Sequence, residues 1–234
     1  MELKSFKQSF KVNNFDFDKN EQKKKRHGDL FPNTIRAIIC GKSNCGKTNL
    51  MLSLIVHPNG LRFRNIYVYS KSLHQPKYVF LKQIMDGLNG VVKYFQFVNS
   101  EDVLSPSQVE KNSVIIFDDV ICNRESHMIL KDYYVRARHY LCDTFFLAQT
   151  YSAIPKQLLR DNANFFVLYK MDELNLRHVY SDVVSTDMSF DKFRSLCSEC
   201  WNSDKYGFLT IDRDADTNHG RYRCGLDKYF TIWN

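Results

Sequence analysis

Short apolar runs alternate with stretches of helical spacing over the first 170 positions. Ile35–Cys40, Asn65–Ser70, Val91–Val98, Ser113–Val120, Thr144–Thr150 and Phe165–Tyr169 are rich in branched and aromatic residues and read as strands. Several are apolar at consecutive positions rather than alternate ones, as strands covered on both faces are. Between them, Thr48–Val56 sets Leu50, Met51, Leu54 and Ile55 on one helical face, and Lys77–Met85 reads as a helix stopped by Gly87 and Gly90. Ser105-Pro106 predicts a short helix, with Ser105 as N-cap and Pro106 at the first helical position. Glu125–Tyr140 predicts a longer one with Ile129, Tyr133, Tyr134 and Ala137 inward, and Pro155 opens another short one. This alternation predicts an α/β fold with a mostly parallel central sheet flanked by helices. Beyond Met171, helices are expected near Glu173–Val183 and Ser189–Cys200, and strands at Gly207–Ile211 and Tyr229–Trp233. The chain then divides into an N-terminal basic and aromatic arm (1–31), a core (32–170) and a C-terminal extension packed on the core (171–234).

A length of 234 residues suits one such domain with additions, and 44% hydrophobic residues suffice for a large core. No apolar run has the length of a membrane span, and Met1-Glu2-Leu3-Lys4 starts no signal core. A soluble intracellular protein is therefore expected. Its seven cysteines, an odd number, are expected to stay reduced. Cys197 and Cys200 form a C-x-x-C pair which, with His219 and Cys224, spells a zinc set. The second half lacks the tight spacing of such sites, so buried thiols are the preferred reading. Asp212–Asp216 lacks the glycine and the distant glutamate of a calcium loop and reads as a turn. The net charge of +7 is spread along the chain, with one dense run at Lys23–His27. That run admits three readings: a nuclear localisation signal, a DNA- or partner-binding arm, or a solvated charge run. Phe6, Phe10, Phe15 and Phe17 suggest that part of the arm packs against something, a neighbouring subunit being one candidate.

The chemistry centres on Gly41-Lys42-Ser43-Asn44-Cys45-Gly46-Lys47-Thr48, a full match to G-x-x-x-x-G-K-[ST] between a strand and a helix. Glycines let the backbone approach an anion, and successive N–H groups at a helix start hold phosphates. Residues 41–48, together with Asn49, are therefore the expected ATP-binding segment. Lys47 would reach the β- and γ-phosphates, and Thr48 would bind Mg2+. About 70 positions further on, Ser113–Val120 ends its apolar run in Asp118-Asp119, the Walker B pattern. Asp118 is expected to hold Mg2+, and Asp119 to polarise the attacking water. The strand ending at Gln149 offers a polar group to the γ-phosphate or that water. Arg160, just before the last core strand, is the candidate arginine finger.

Taken in order, several pieces follow one another: Walker A, an added strand and helix, and Walker B with two aspartates. A helix ending Arg-Ala-Arg138-His139, Phe-Phe-Leu-Ala-Gln149-Thr-Tyr and Ile-Pro155-Lys-x-Leu-x-Arg160-x-Asn162 come next. From Ile35 to Tyr169 this resembles the genome-packaging ATPases of large DNA viruses and of related viruses and virus-like transposons (poxvirus-type, virophage and polinton-like), in the FtsK–HerA superfamily. The resemblance implies a RecA-like sheet with the Gln149 strand between the Walker A and Walker B strands. It also implies a ring of five or six subunits with ATP at their interfaces. ATP hydrolysis would drive double-stranded DNA into a preformed capsid, with capsid or vertex proteins as partners. The place of action would be the nucleus or a cytoplasmic virus factory of an infected cell, with transient residence at the capsid vertex. Arg138 is the alternative finger. Three other readings compete: a helicase or recombination motor of the same superfamily, a nucleoside or nucleotide kinase, and a non-catalytic ATP-dependent assembly factor.

Overall fold

The computed structural model describes residues 25–99, 102–120 and 124–232, the side chains of 124–126 excepted. Its centre is a nine-stranded sheet in the order β3-β2-β4-β5-β1-β6-β7-β8-β9. The first six strands, β1 (Arg36–Cys40), β2 (Asn65–Ser70), β3 (Lys93–Phe97), β4 (Ser113–Asp118), β5 (Cys142–Ala148) and β6 (Phe165–Tyr169), are parallel. β5 lies between β4 and β1, as the resemblance implied, so the strands carrying the phosphate loop and the two aspartates flank the one that ends at Gln149.

The parallel strands β1, β2, β4, β5 and β6 are buried on both faces, with alternate residues serving two separate cores, while β3 is a half-exposed edge strand. Ala37 and Ile39 of β1 join Leu50, Met51 and Leu54 of α1 (Lys47–Val56) and Tyr78, Leu81 and Met85 of α2 (Pro76–Gly87). Ile38 and Cys40 face the other way, toward Tyr133 and Tyr134 of α3 (Arg124–Arg136) and toward the C-terminal helices. The two-residue period of a strand produces this division. Polar groups pin the strand starts. The Asn164 side chain accepts from the Arg36 N–H at 2.8 Å and donates to the Thr34 carbonyl, and Tyr134 Oη donates to the Ala37 carbonyl.

The C-terminal part does more than pack on the core. β7 (Phe208–Asp212), β8 (Tyr222–Cys224) and β9 (Lys228–Tyr229) continue the sheet from β6 in antiparallel fashion. Two further helices, α4 (Glu173–Val179) and α5 (Phe190–Asn202), cover the face shared with α3. Asp172 and Ser189 cap them by accepting from the Asn175 and Lys192 N–H groups. Trp201 Nε1 donates to the Leu168 carbonyl at 2.9 Å, fastening α5 to β6.

Four local expectations need correction. Ser105-Pro106 opens a turn rather than a helix, because Gln108 Oε1 accepts from the Ser105 N–H and closes it locally. Helix α3 stops at Arg136, and Ala137–Tyr140 form one 3-10 turn ended by Leu141 in the left-handed region. β8 has no counterpart among the expected strands, while Tyr229–Trp233 reduces to the two-residue β9 among the described residues. The basic run divides. Lys23 and Lys24 lie outside the described residues, as do Phe6, Phe10, Phe15 and Phe17, but Arg26 and His27 turn inward onto buried Asp143. Arg26 Nη2 lies 3.1 Å and His27 Nε2 3.0 Å from Asp143 Oδ2. His27 Nδ1 accepts from the Arg62 N–H at 3.1 Å. No helix among the described residues is long and apolar enough to cross a membrane.

Candidate nucleotide site

Strand β1 runs straight into the phosphate loop, and α1 begins at Lys47. Two backbone positions make the tight curve possible: Asn44 (φ 62°) and Gly46 (φ 110°), both left-handed. At Gly46 only glycine adopts that shape without strain. Gly41 is required for space, since a Cβ there would lie 2.5 Å from Tyr169 Cβ and 2.7 Å from Cys45 Sγ. The Lys47 ammonium donates to the Gly41 and Lys42 carbonyls at 2.6 and 3.0 Å, so the loop's own backbone aims it. Burial pushes the Cys45 thiol up, against the pull of the Lys47 charge.

The cleft over this loop is lined by Ser43, Asn44, Gly46, Lys47 and Thr48 on one side and by Asp118, Asp119 and Gln149 on the other. Asn49 follows on the exposed side of α1. Asp118 ends β4 and Gln149 follows β5, and adjacent parallel pairing brings these strand ends together. Gln149 Nε2 donates to Asp119 Oδ1 at 3.4 Å. Asp119 itself sits at φ 55°, a conformation that a side-chain-bearing residue takes at a cost of about 1–3 kcal/mol and that turns its carboxylate out of the strand. Burial raises the Asp118 carboxyl above the usual carboxylate range, against the pull of a Tyr78 hydrogen bond and the Lys47 charge. A cation at this position would therefore be welcome. The Thr48 hydroxyl approaches the same carboxylate, and two hard oxygen donors side by side fit Mg2+.

Arg160 stands apart from this cleft. It is buried, with Nη1 2.7 Å from Asp182 Oδ2 and its guanidinium 5.0 Å from the centre of the Tyr151 ring. The Arg160 side chain thus has a charge partner inside the same chain, away from the residues that line the phosphate-loop cleft. Arg138 is exposed in a different cavity at the start of β1 and β6, with Arg36 and Arg213. Among the described residues no group of three or more histidines, cysteines and acids is placed to hold a metal, and the zinc set does not assemble: Cys197 and Cys200 are buried thiols, while His219 pairs with Asp216. Sequence reasoning missed Ser72, Gln75 and Lys77, which wall the cleft from the start of α2, and Tyr78, whose hydroxyl donates to Asp118 Oδ2. A buried tyrosine inside an amphipathic helix carries no motif that would have marked it.

Residues 21–197 match the family described as Poxvirus A32 protein. No curated protein matches the chain. Among solved structures, B204, the DNA-packaging ATPase from Sulfolobus turreted icosahedral virus, superposes with a TM-score of 0.53 at 15% identity. That match covers 76% of this chain and 92% of that one. The genome-packaging NTPase B204 from Sulfolobus turreted icosahedral virus 2, in complex with ATP-gammaS, gives 0.51 at 12% identity over 79% and 94% of the two chains. At such identities the likeness is one of fold.

Proposed function

The chain belongs to the Poxvirus A32 protein family, and from that membership we propose that it is an ATPase that moves double-stranded DNA, packaging a viral genome into a preformed capsid. The observation that carries the reading is the Gln149–Asp119 contact at the mouth of the phosphate-loop cleft. It joins a water-orienting pair to a nucleotide site on neighbouring strands. The B204 proteins, named as packaging enzymes and sharing this fold, support the direction of the proposal.

In this mechanism the loop N–H groups and Lys47 bind the β- and γ-phosphates. Thr48 and Asp118 would hold Mg2+, which when bound neutralises charge on those phosphates. Asp119 accepts a hydrogen bond from the attacking water, and Gln149 fixes the carboxylate and the water in line with the γ-phosphorus. Asp119, Leu147 and Gln149 also border a second, mostly apolar cavity beside Leu130, Ile154 and Leu158. Loss of the γ-phosphate can therefore be felt on the far side of the pair, where movement would pass to DNA. The functional unit is a ring of five or six subunits at a capsid vertex in an infected cell, with the charge-stabilising arginine supplied by a residue other than Arg160.

The test is ATP hydrolysis with and without double-stranded DNA, on wild type and Asp119→Asn. Duplex DNA should stimulate the wild type, and D119N should bind ATP but lose turnover. Absence of stimulation in an assembled ring would defeat the translocase reading. DNA affinity should fall steeply with salt, as binding through phosphates does.

A further inference from the structure

The strand and helix inserted between the phosphate loop and the aspartates, β2 and α2, have no part in the mechanism above. Their placement supplies one. β2 pairs directly with β4, Ser70 opposite Asp118, and α2 starts at the wall of the nucleotide cleft. Pro76 opens the helix and Tyr78 follows in its first turn, 3% exposed. Its ring packs with Leu81 and Met85 in the core, while its hydroxyl donates to Asp118 Oδ2. The Ser70 hydroxyl, at the end of β2, approaches the same phenol. A phenol held by packing is a fixed donor, and it reaches one oxygen of the carboxylate that also has Thr48, Lys47 and Asp119 as neighbours.

We infer that Tyr78 is a positioning residue that locks the Asp118 carboxylate in the orientation required to hold a divalent cation beside Thr48. The inference rests on the reading of Asp118 as the metal-holding residue. Groups that orient a metal ligand generally change metal affinity by 10–100-fold when removed, and Tyr78 meets the geometric condition for such a group. It leaves the nucleotide contacts of the phosphate loop untouched, because it lies beneath the cleft rather than in it.

The experiment measures Mn2+ affinity by electron paramagnetic resonance, on full-length protein saturated with a non-hydrolysable ATP analogue. Wild type, Tyr78→Phe, Asp118→Asn and the double variant are compared. Analogue affinity in EDTA is measured in parallel. The expected result is Mn2+ binding weakened about tenfold in Y78F, with analogue affinity in EDTA unchanged and no further effect of Y78F in the D118N background. Unchanged Mn2+ affinity in Y78F, while D118N weakens it, overturns the inference alone. Mn2+ affinity indifferent to D118N overturns the metal assignment and the inference with it. Equal loss of analogue affinity in EDTA shows a merely structural tyrosine and also overturns it. If Y78F does not fold, Tyr78→Met fills the space without a hydroxyl and is read in the same way.

Discussion

Arg160 Nη1 and Asp182 Oδ2 lie 2.7 Å apart, and both side chains are more than nine-tenths buried. The pair joins the turn before β6 to the π-turn that follows α4, with Tyr151 stacked below. Arg160→Ala would leave buried Asp182 with the half-exposed Lys156 ammonium at 3.2 Å and the Tyr151 hydroxyl at 3.4 Å, and removing one member of a buried pair costs about 3–5 kcal/mol. Urea unfolding should show that loss. Mixing R160A subunits with Lys47→Ala subunits should restore no activity, whereas recovery in the mixture would return Arg160 to the interface. Replacing both partners, as Arg160→Met with Asp182→Leu, should cost far less than R160A.

Gln149→Ala removes the donor that holds Asp119. Turnover should fall by about 10²–10³, the usual effect of losing one preorganised donor. ATP affinity should stay within a few-fold, since Lys47 and the loop backbone remain. Single-turnover hydrolysis and equilibrium binding of a fluorescent nucleotide separate the two effects.

Within the basic run, neighbouring residues should behave differently. Arg26→Ala removes contacts to Asp143, Asn112 and Leu141 and should lower stability by about 2 kcal/mol, the scale of hydrogen bonds to charged groups. Lys25→Ala, whose only described partner is exposed Asp29, should leave the denaturation midpoint where it was. Urea titrations of the two variants make the comparison.

Asp187 provides a pH test. Burial pushes its carboxyl up, but hydrogen bonds from Tyr222 and Arg221 outweigh that and leave it below the usual carboxylate range. A depressed native pKa contributes stability above the unfolded value and loses it as pH falls through the native one. Asp187→Asn should therefore cost about 2 kcal/mol at pH 7. The difference from wild type should vanish in strong acid, where both carry a neutral side chain. Denaturant curves across that range give the comparison.

Metal removal should leave the C-terminal part folded. Cys197 is buried in a hydrophobic cluster, and Cys200 donates weakly to the Arg223 carbonyl, so neither thiol waits for zinc. A chelator such as phenanthroline should not shift the thermal midpoint. A large drop would restore the zinc reading.

The sequence made the parallel core legible because its signals are local. Consecutive apolar residues mark strands covered on both sides, and Gly41–Thr48 is a complete phosphate loop with its strand and helix in place. The order of strands was legible only through resemblance, since pairing of β5 between β4 and β1 is a long-range choice. Asp118, Asp119 and Gln149 stood out because each lies at the end of a strand beside the phosphate loop. The partner of Arg160 was not legible for the converse reason: Asp182 lies 22 positions away in a region without motifs. Arg26 and His27 looked like part of a charge run because Asp143, which buries them, lies more than a hundred positions later. Tyr78 looked like an ordinary core aromatic, and its ring is one; only its hydroxyl has another task.

The antiparallel strands after β6 have one more consequence. Had the sheet ended at β6, the apolar Phe165–Tyr169 strand would present a full row of unpaired backbone groups. In a population of identical subunits gathered at high local concentration, such an edge would recruit the same edge of another copy. β7 occupies it residue by residue from Phe165–Asp212 to Tyr169–Phe208, and the sheet tapers through β8 to the two-residue, exposed β9. The extension acts as a selvedge: it finishes the sheet at a strand too short to template another.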